Sequence, residues 1–271
     1  MIKINGDIVT INKFLDGTPR INIEPNSIKI GSYKGHSYIL IEWFYENNDE
    51  MFYLMLVKKH LERVFINVEY YLYLPYIPNA RMDRVKNNDE VFTLKYFCEF
   101  INWLEFLSVY VLDAHSDVST ALLNNCVKKD PKKYIKKVMD EIGKDIVLYF
   151  PDAGGVKRYS ELFPEIPYCY GEKKREWKTG KILGVDVRTC GIELAGKSIL
   201  IIDDICSRGG TFYYGSQELN KFGVQDIYLY VTHCENTILD GELMKSKLIK
   251  KIFTTNSIFT QKSKDIEVIE L

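Results

Sequence analysis

The chain has 271 residues, 46% of them hydrophobic, and a formal net charge of −1. That length suits about two domains with sizeable cores, and a near-neutral charge without a long basic block gives no electrostatic support for nucleic-acid binding. Cys98, Cys126, Cys169, Cys190, Cys206 and Cys234 form no CxxC pair, and no apolar run reaches the ~18 residues of a membrane span or opens the chain as a leader would; zinc spacing, a disulfide framework and a membrane partner are excluded, and a soluble, cytoplasmic protein is expected.

In chain order, short β-like pieces come first, at residues 8–14, 20–23 and 38–43, separated by Gly and Asp turns. Residues 47–63 read as an amphipathic helix, with Met51, Leu54, Met55 and Leu61 near helical spacing and Asn48 or Asp49 as its N-cap. Residues 70–76 read as a buried strand that ends in the loop IPNARMDRVKNND, residues 93–106 as a second helix, and SVYVLDAH as the next strand. Residues 118–139 are expected to be helical, broken at Asp130-Pro131, with their lysines on a solvated face. A second alternation then starts with the strand IVLYF, passes PDAGG and the charged segment GEKKREWKTGK, and reaches residues 198–211. A strand at residues 226–231 and two strand-like pieces, KKIFTTNSIF and DIEVIEL, close the chain. Alternating strands and helices predict an α/β protein with parallel sheets. The boundary is placed near residue 125, giving domains 1–125 and 126–271.

The stretch SILIIDDICSRGGT, residues 198–211, carries the clearest chemistry. Ile199, Leu200, Ile201 and Ile202 suit a strand buried on both faces, and Asp203 with Asp204 closes that apolar run. The turn Ser207-Arg208-Gly209-Gly210-Thr211 follows, then a helix-like segment with Gly223 as its C-cap. The glycines let the backbone bend so that its N–H groups cradle a phosphate at a helix start. Two carboxylates accept hydrogen bonds from vicinal hydroxyls. Together they point to a phosphorylated sugar.

On these residues the stretch resembles the phosphoribosyl-pyrophosphate motif of type I phosphoribosyltransferases and ribose-phosphate pyrophosphokinases. That motif usually reads two acids, two apolar residues and Asp-Thr-Gly-Gly-Thr; here Ser207 and Arg208 stand where Asp and Thr are usual. Four further segments resemble the pyrophosphokinases in particular. Arg81, Asp83 and Arg84 crowd one loop, and guanidinium forks suit triphosphate oxygens. Asp113-Ala114-His115 matches an Asp-x-His whose His is a magnesium ligand in that family. In Pro151-Asp152-Ala153-Gly154-Gly155, a carboxylate at a strand end before a double glycine suits a metal-bound phosphate. Lys173-Lys174-Arg175 matches a loop that brings a Lys and an Arg onto the transferring phosphates. A shorter match is Phe14-Leu15-Asp16-Gly17, which in the family reaches the adenine of a neighbouring subunit's ATP, although Thr18 replaces its usual Glu.

The resemblance implies two similar parallel-sheet domains of the type I phosphoribosyltransferase-like fold with the active site between them. The N-terminal domain would bind ATP through Phe14, Asp16, Arg81, Asp83 and Arg84, and the C-terminal domain the ribose phosphate through Asp203, Asp204 and residues Ser207, Arg208, Gly209, Gly210 and Thr211. His115 and Asp152 would hold Mg2+, Lys173 and Arg175 would be catalytic, and a homo-oligomer, dimer or higher, is implied. The implied reaction moves the β,γ-diphosphate of ATP to the anomeric hydroxyl of a 5-phosphorylated ribose and releases AMP. Replacement of the motif's Asp-Thr by Ser207-Arg208 removes an acid and adds a cation, a pattern that suits a 5-diphosphate. The acceptor is therefore read as ADP-ribose, as in a viral branch of the family that rebuilds NAD (in the host cytoplasm), or as ribose 5-phosphate. A phosphoribosyltransferase of nucleotide salvage and an inactive regulatory relative are the alternatives.

Overall fold

The structure, a computed structural model, describes residues 1–143, 145–175 and 182–271, with the backbone alone at residues 173–175 and 182–183. The chain divides into two units, Met1–Asp130 and Pro131–Leu271.

In the first unit a mixed sheet runs in the order β2-β1-β6-β7-β8-β9, with β5 also paired to β6. Its strands are β1 (Ile2–Ile4), β2 (Asp7–Ile8), β5 (Gly31–Tyr33), β6 (His36–Trp43), β7 (Glu69–Tyr73), β8 (Ser108–Leu112) and β9 (Cys126–Lys129); β3 (Ile11–Lys13) and β4 (Pro19–Ile21) form a separate hairpin. β6 through β9 are parallel neighbours, while β1 and β5 add antiparallel to β6. The helices are α1 (Asp49–Val64), α2 (Thr93–Trp103) and α3 (Asp117–Leu122). Leu54, Val57 and Leu61 of α1 and Phe97 and Ile101 of α2 bury against Ile39, Ile41, Leu72 and Val109 of the sheet. Met51 and Met55, expected on the same stripe, are half-buried. Asn48 holds the N-cap position, as expected, but its side chain makes no capping bond and instead accepts from the Tyr45 hydroxyl at 2.9 Å, while the Asn47 side chain accepts from the Asp49 N–H at 3.0 Å.

The second unit places its sheet in the order β12-β11-β10-β13-β14-β15-β16. These are β10 (Ile146–Phe150), β11 (Tyr168–Arg175), β12 (Ile182–Arg188), β13 (Ser198–Cys206), β14 (Asp226–Cys234), β15 (Lys251–Thr255) and β16 (Ile266–Ile269). All pairings are parallel except β11 with β12. The helices are α4 (Lys132–Ile142), α5 (Ala153–Tyr159), α6 (Gly210–Asn220) and α7 (Glu242–Ser246). Ile199 and Ile201 of β13 pack in one core with Phe212 and Leu219 of α6, and Leu200 and Ile202 are equally buried. That is the two-sided burial expected of a central parallel strand.

Four expectations are corrected. The division falls at Asp130, not near residue 125, because β9 pairs with β8 and belongs to the first sheet. Of the helical reading of residues 118–139, the break at Asp130-Pro131 stands before α4, but the part ahead of it is α3 followed by β9, since ladder pairing captures the short CVKK segment whatever its own preference. The charged segment GEKKREWKTGK begins as strand, in a hairpin that extends the sheet antiparallel. α6 stops at Asn220; Gly223, at φ 69°, lies in the turn beyond, its N–H on the Asn220 carbonyl at 3.1 Å.

Candidate active site

β10 and β13 are parallel neighbours, with Ile146 opposite Ser198 and Tyr149 opposite Ile201, so the loops leaving their carboxyl ends emerge side by side. Ligands of open α/β sheets bind at such strand ends. The first loop turns β10 into α5. Asp152 is the N-cap, and its Oδ1 accepts from the N–H groups of Gly154 at 3.0 Å and Gly155 at 3.2 Å. Gly155 is buried against Phe150, where a Cβ would stand 3.2 Å from the Phe150 Cβ, so α5 can start close to the strand it leaves.

One helical turn later α5 presents Arg158. Its Nη2 donates to Asp204 Oδ1 at 2.8 Å and to Asp203 Oδ1 at 3.1 Å, and its guanidinium lies 5.2 Å from the centre of the Tyr159 ring. The three side chains are sheltered, 21% exposed at Arg158, 20% at Asp203 and 3% at Asp204. Burial, then the neighbouring Asp204, pushes the Asp203 carboxyl well above the usual carboxylate range, and Arg158 opposes that push. Burial works against the Arg158 charge, but Tyr159 and then the two carboxylates outweigh it and hold the proton more firmly than usual. Each carboxylate has about four acceptor sites, so one guanidinium nitrogen bridging one oxygen of each is compatible with accepting from sugar hydroxyls. Arg158 was not among the expected site residues. The acids alone carried a partial signal, since two adjacent carboxylates buried at a strand end demand a cation nearby, but which cation it is depends on α5 meeting them from the neighbouring strand.

The second loop continues β13 to Cys206, bends at Ser207 and Arg208, and passes through Gly209 in the left-handed region at φ 74° before α6 starts at Gly210. The first N–H groups of α6 have no partner within the helix, which makes its start a ready phosphate cradle. Ser207 is half-buried, while Arg208, Gly210 and Thr211 are exposed. Thus Asp152, Asp203, Asp204 and residues 207–211 share one end of the second sheet.

On the other side of β10, β11 runs parallel to it, with Leu148 opposite Tyr168 and Phe150 opposite Tyr170. A Cβ on Gly171 would stand 2.4 Å from the Tyr149 hydroxyl and 2.7 Å from the Pro151 carbonyl oxygen. The glycine therefore lets the hairpin backbone lie directly on the loop that carries Asp152. The backbones of Lys173 and Arg175 follow on β11; their side chains, and with them the catalytic expectation, lie outside the described residues.

In the first unit the loops after β7 and β8 also emerge from adjacent parallel strands, joined by the Leu112 N–H on the Pro75 carbonyl at 3.1 Å. The first carries Arg81 and Arg84, both exposed, and Asp83, whose Oδ1 accepts from Arg84 Nε at 3.2 Å. The second turns at Asp113, buried and at φ 45°, and leaves His115 half-buried. Phe14 and Asp16 sit apart from these loops in sequence, on the β3–β4 turn. There Asp16 accepts from the Thr18 N–H at 2.9 Å, which holds its carboxyl below the usual range, and the Phe14 ring is 55% exposed. No group of three or more His, Cys, Asp or Glu able to hold a metal occurs among the described residues. His115 in the first unit and Asp152 in the second each offer one donor, the number a magnesium ion takes when it arrives on phosphate oxygens and keeps several waters.

The family model for the phosphoribosyl transferase domain matches residues 120–267. The ribose-phosphate pyrophosphokinase of Pyrococcus furiosus is 28% identical over 262 residues, covering 94% of this chain and 88% of that protein. That of Thermococcus kodakarensis is 25% identical over 268 residues, covering 97% of this chain and 90% of that protein. The crystal structure of phosphoribosylpyrophosphate synthetase from Mycobacterium smegmatis shares the fold, with a TM-score of 0.78 at 17% identity over 97% of this chain and 86% of that one. With a family match across more than half its length and relatives aligned along nearly all of it, the chain belongs to the phosphoribosyl transferase domain family and, within it, to the ribose-phosphate pyrophosphokinases, which are diphosphotransferase enzymes.

Proposed function

We propose that this enzyme transfers the β,γ-diphosphate of ATP to the anomeric hydroxyl of a 5-phosphorylated ribose and releases AMP. The observation that carries the reading is the juxtaposition in the second unit: an acidic pair held by Arg158, a Gly-Gly-Thr helix start and the Asp152 loop at one sheet end. The acids and the helix start address a ribose and its 5-phosphate. The exposed Arg81 and Arg84 of the first unit supply guanidinium forks of the kind that hold a nucleotide's phosphates. The anomeric hydroxyl attacks the β-phosphorus, the bond from that phosphorus to the α-phosphate oxygen breaks, and the hydroxyl proton leaves to solvent or base. Little covalent work falls to the protein; placement and charge supply the rate. Mg2+ held at Asp152 and His115 would supply charge neutralisation on the phosphates, and Lys173 and Arg175 would clamp the transferring group.

For the acceptor we propose ADP-ribose, with ribose 5-phosphate as the second reading, favoured by the names of the relatives. The motif's Asp-Thr is Ser207-Arg208 here, and the exposed Arg208 stands directly before the helix start, where it can fork onto a second phosphate. The test is competition: equal ADP-ribose and ribose 5-phosphate with limiting ATP and magnesium, products and AMP separated by mass. Preference for ADP-ribose that falls in Arg208→Thr is expected. A preference for ribose 5-phosphate unaltered by Arg208→Thr overturns the diphosphate reading, and AMP formation with neither acceptor overturns the reaction.

A further inference from the structure

The turn that carries Arg208 and Gly209 rests on a segment with no assigned role, the short turn Asn236–Asp240 followed by α7. Gly241 joins the two. Its backbone, at φ −78° and ψ 155°, is one that any residue adopts, so conformation does not require a glycine there. Space does. A Cβ on Gly241 would stand 2.0 Å from the Arg208 carbonyl oxygen and 2.9 Å from its carbon. The carbonyl oxygen occupies the place where a side chain would begin. One residue along, a Cβ on Gly209 would stand 2.7 Å from Leu243 Cδ2, so the buried Leu243 forms the floor beneath that glycine.

This packing has a consequence on the opposite face of the turn. In a trans peptide the C=O of Arg208 and the N–H of Gly209 point in opposite directions, and the chain contains no cis peptide bond among the described residues. A carbonyl seated inward on Gly241 therefore turns the Gly209 N–H away from α7. The next peptide is fixed separately, because the Gly209 carbonyl accepts the Tyr213 N–H at 2.9 Å as α6 begins. Successive N–H groups around a left-handed residue make an anion-binding concavity.

We propose that Gly241 is a positioning residue for the sugar-phosphate turn: it seats the Arg208 carbonyl and so presents the Gly209 N–H to the 5-phosphate. This rests on the reading of residues 207–211 as the phosphate turn. Gly241 touches no substrate. An alanine there expels the carbonyl and rotates the Arg208–Gly209 peptide, removing one N–H from a charged phosphate, a loss of about ten- to a hundredfold in affinity.

The experiment titrates inorganic phosphate into full-length protein labelled with 15N-glycine, alongside steady-state kinetics. In the wild type the Gly209 and Gly210 amides shift on titration. In Gly241→Ala the Gly209 response is lost, phosphate affinity falls by that factor, the sugar-phosphate KM rises in parallel, and the KM for ATP stays within about twofold. Unchanged phosphate affinity, or both KM values rising together, overturns the assignment. If Gly241→Ala does not fold, Leu243→Ala opens the floor under Gly209 and should weaken phosphate selectively by about threefold; unchanged affinity there overturns it as well. A wild type whose glycine amides ignore phosphate defeats the phosphate-turn reading and this inference together. A wild type that binds phosphate but forms no AMP defeats only the reaction, and the titration still decides Gly241.

Discussion

A single guanidinium balances two carboxylates at the heart of the second unit. Arg158 donates to Asp204 at 2.8 Å and to Asp203 at 3.1 Å, and all three side chains are largely withdrawn from water. Taking one partner from a buried ionic group leaves the others uncompensated, which typically costs about 3 kcal/mol or more. Arg158→Met is therefore expected to lower stability by about 3 kcal/mol in urea titrations, while a loss under about 1 kcal/mol would mean that water already screens the pair. The acids also confer a pH dependence with a definite sign. Burial and Asp204 raise the Asp203 carboxyl above its ordinary value, so the folded state holds that proton more tightly than the unfolded chain. The resulting stabilisation is fully present below about pH 4, where the unfolded carboxyl is protonated too, and is lost as pH rises through the raised folded value. Asp203→Asn removes the titration. Compared by urea midpoint, the variant should gain on the wild type as pH rises from about 4 towards neutrality, and parallel profiles would rule this account out.

At the scale of elements, the β11–β12 hairpin is the part whose work depends most on where its backbone is held. Gly171 allows it to lie on the Pro151 carbonyl and the Tyr149 hydroxyl, and Glu172 and Arg188 tie its two strands by an exposed ion pair at 2.6 Å. Beyond that anchor come Lys173 and Arg175. If their cations meet the transferring phosphates, their contribution appears in the transition state more than in binding. Lys173→Ala and Arg175→Ala should each lower kcat by ~10²–10³ and move the KM for ATP by no more than a few-fold. Near-normal turnover in both variants would remove the hairpin from catalysis. The sequence made this hairpin visible only as a run of charge, because a strand on a sheet margin with polar side chains lacks the alternation that marks a half-buried one. The same holds for β9, four residues long and ending in Lys128 and Lys129. β13 with its turn and α6 was legible for the opposite reason: a continuous apolar run, two acids and a double glycine leave few other structures open. Arg158 was hidden because a lone arginine on a seven-residue helix has no local signature; its meaning lies in the acids it meets from another strand.

For the whole molecule, the alternation of strands and helices foretold two α/β units, and long-range pairing moved their division to Asp130. Each unit brings loops from adjacent parallel strands to one end of its sheet, at residues 75–84 and 113–115 in the first and at residues 151–152 and 207–209 in the second. If the first unit serves ATP and the second the sugar phosphate, each substrate alone should quiet the backbone of one unit's loops. Amides at a helix start have no intrahelical acceptor and exchange with solvent readily until a phosphate takes their place, whereas the buried strands exchange only through larger openings. Hydrogen exchange read by mass spectrometry separates the two cases. Ribose 5-phosphate or ADP-ribose should slow exchange in residues 203–211, above all at the start of α6, and leave residues 75–84 unchanged. ATP with magnesium should slow residues 75–84 and 113–115. Protection of residues 203–211 by ATP, with residues 75–84 indifferent to it, would assign the nucleotide to the second unit and make the Arg81–Arg84 loop a solvated surface.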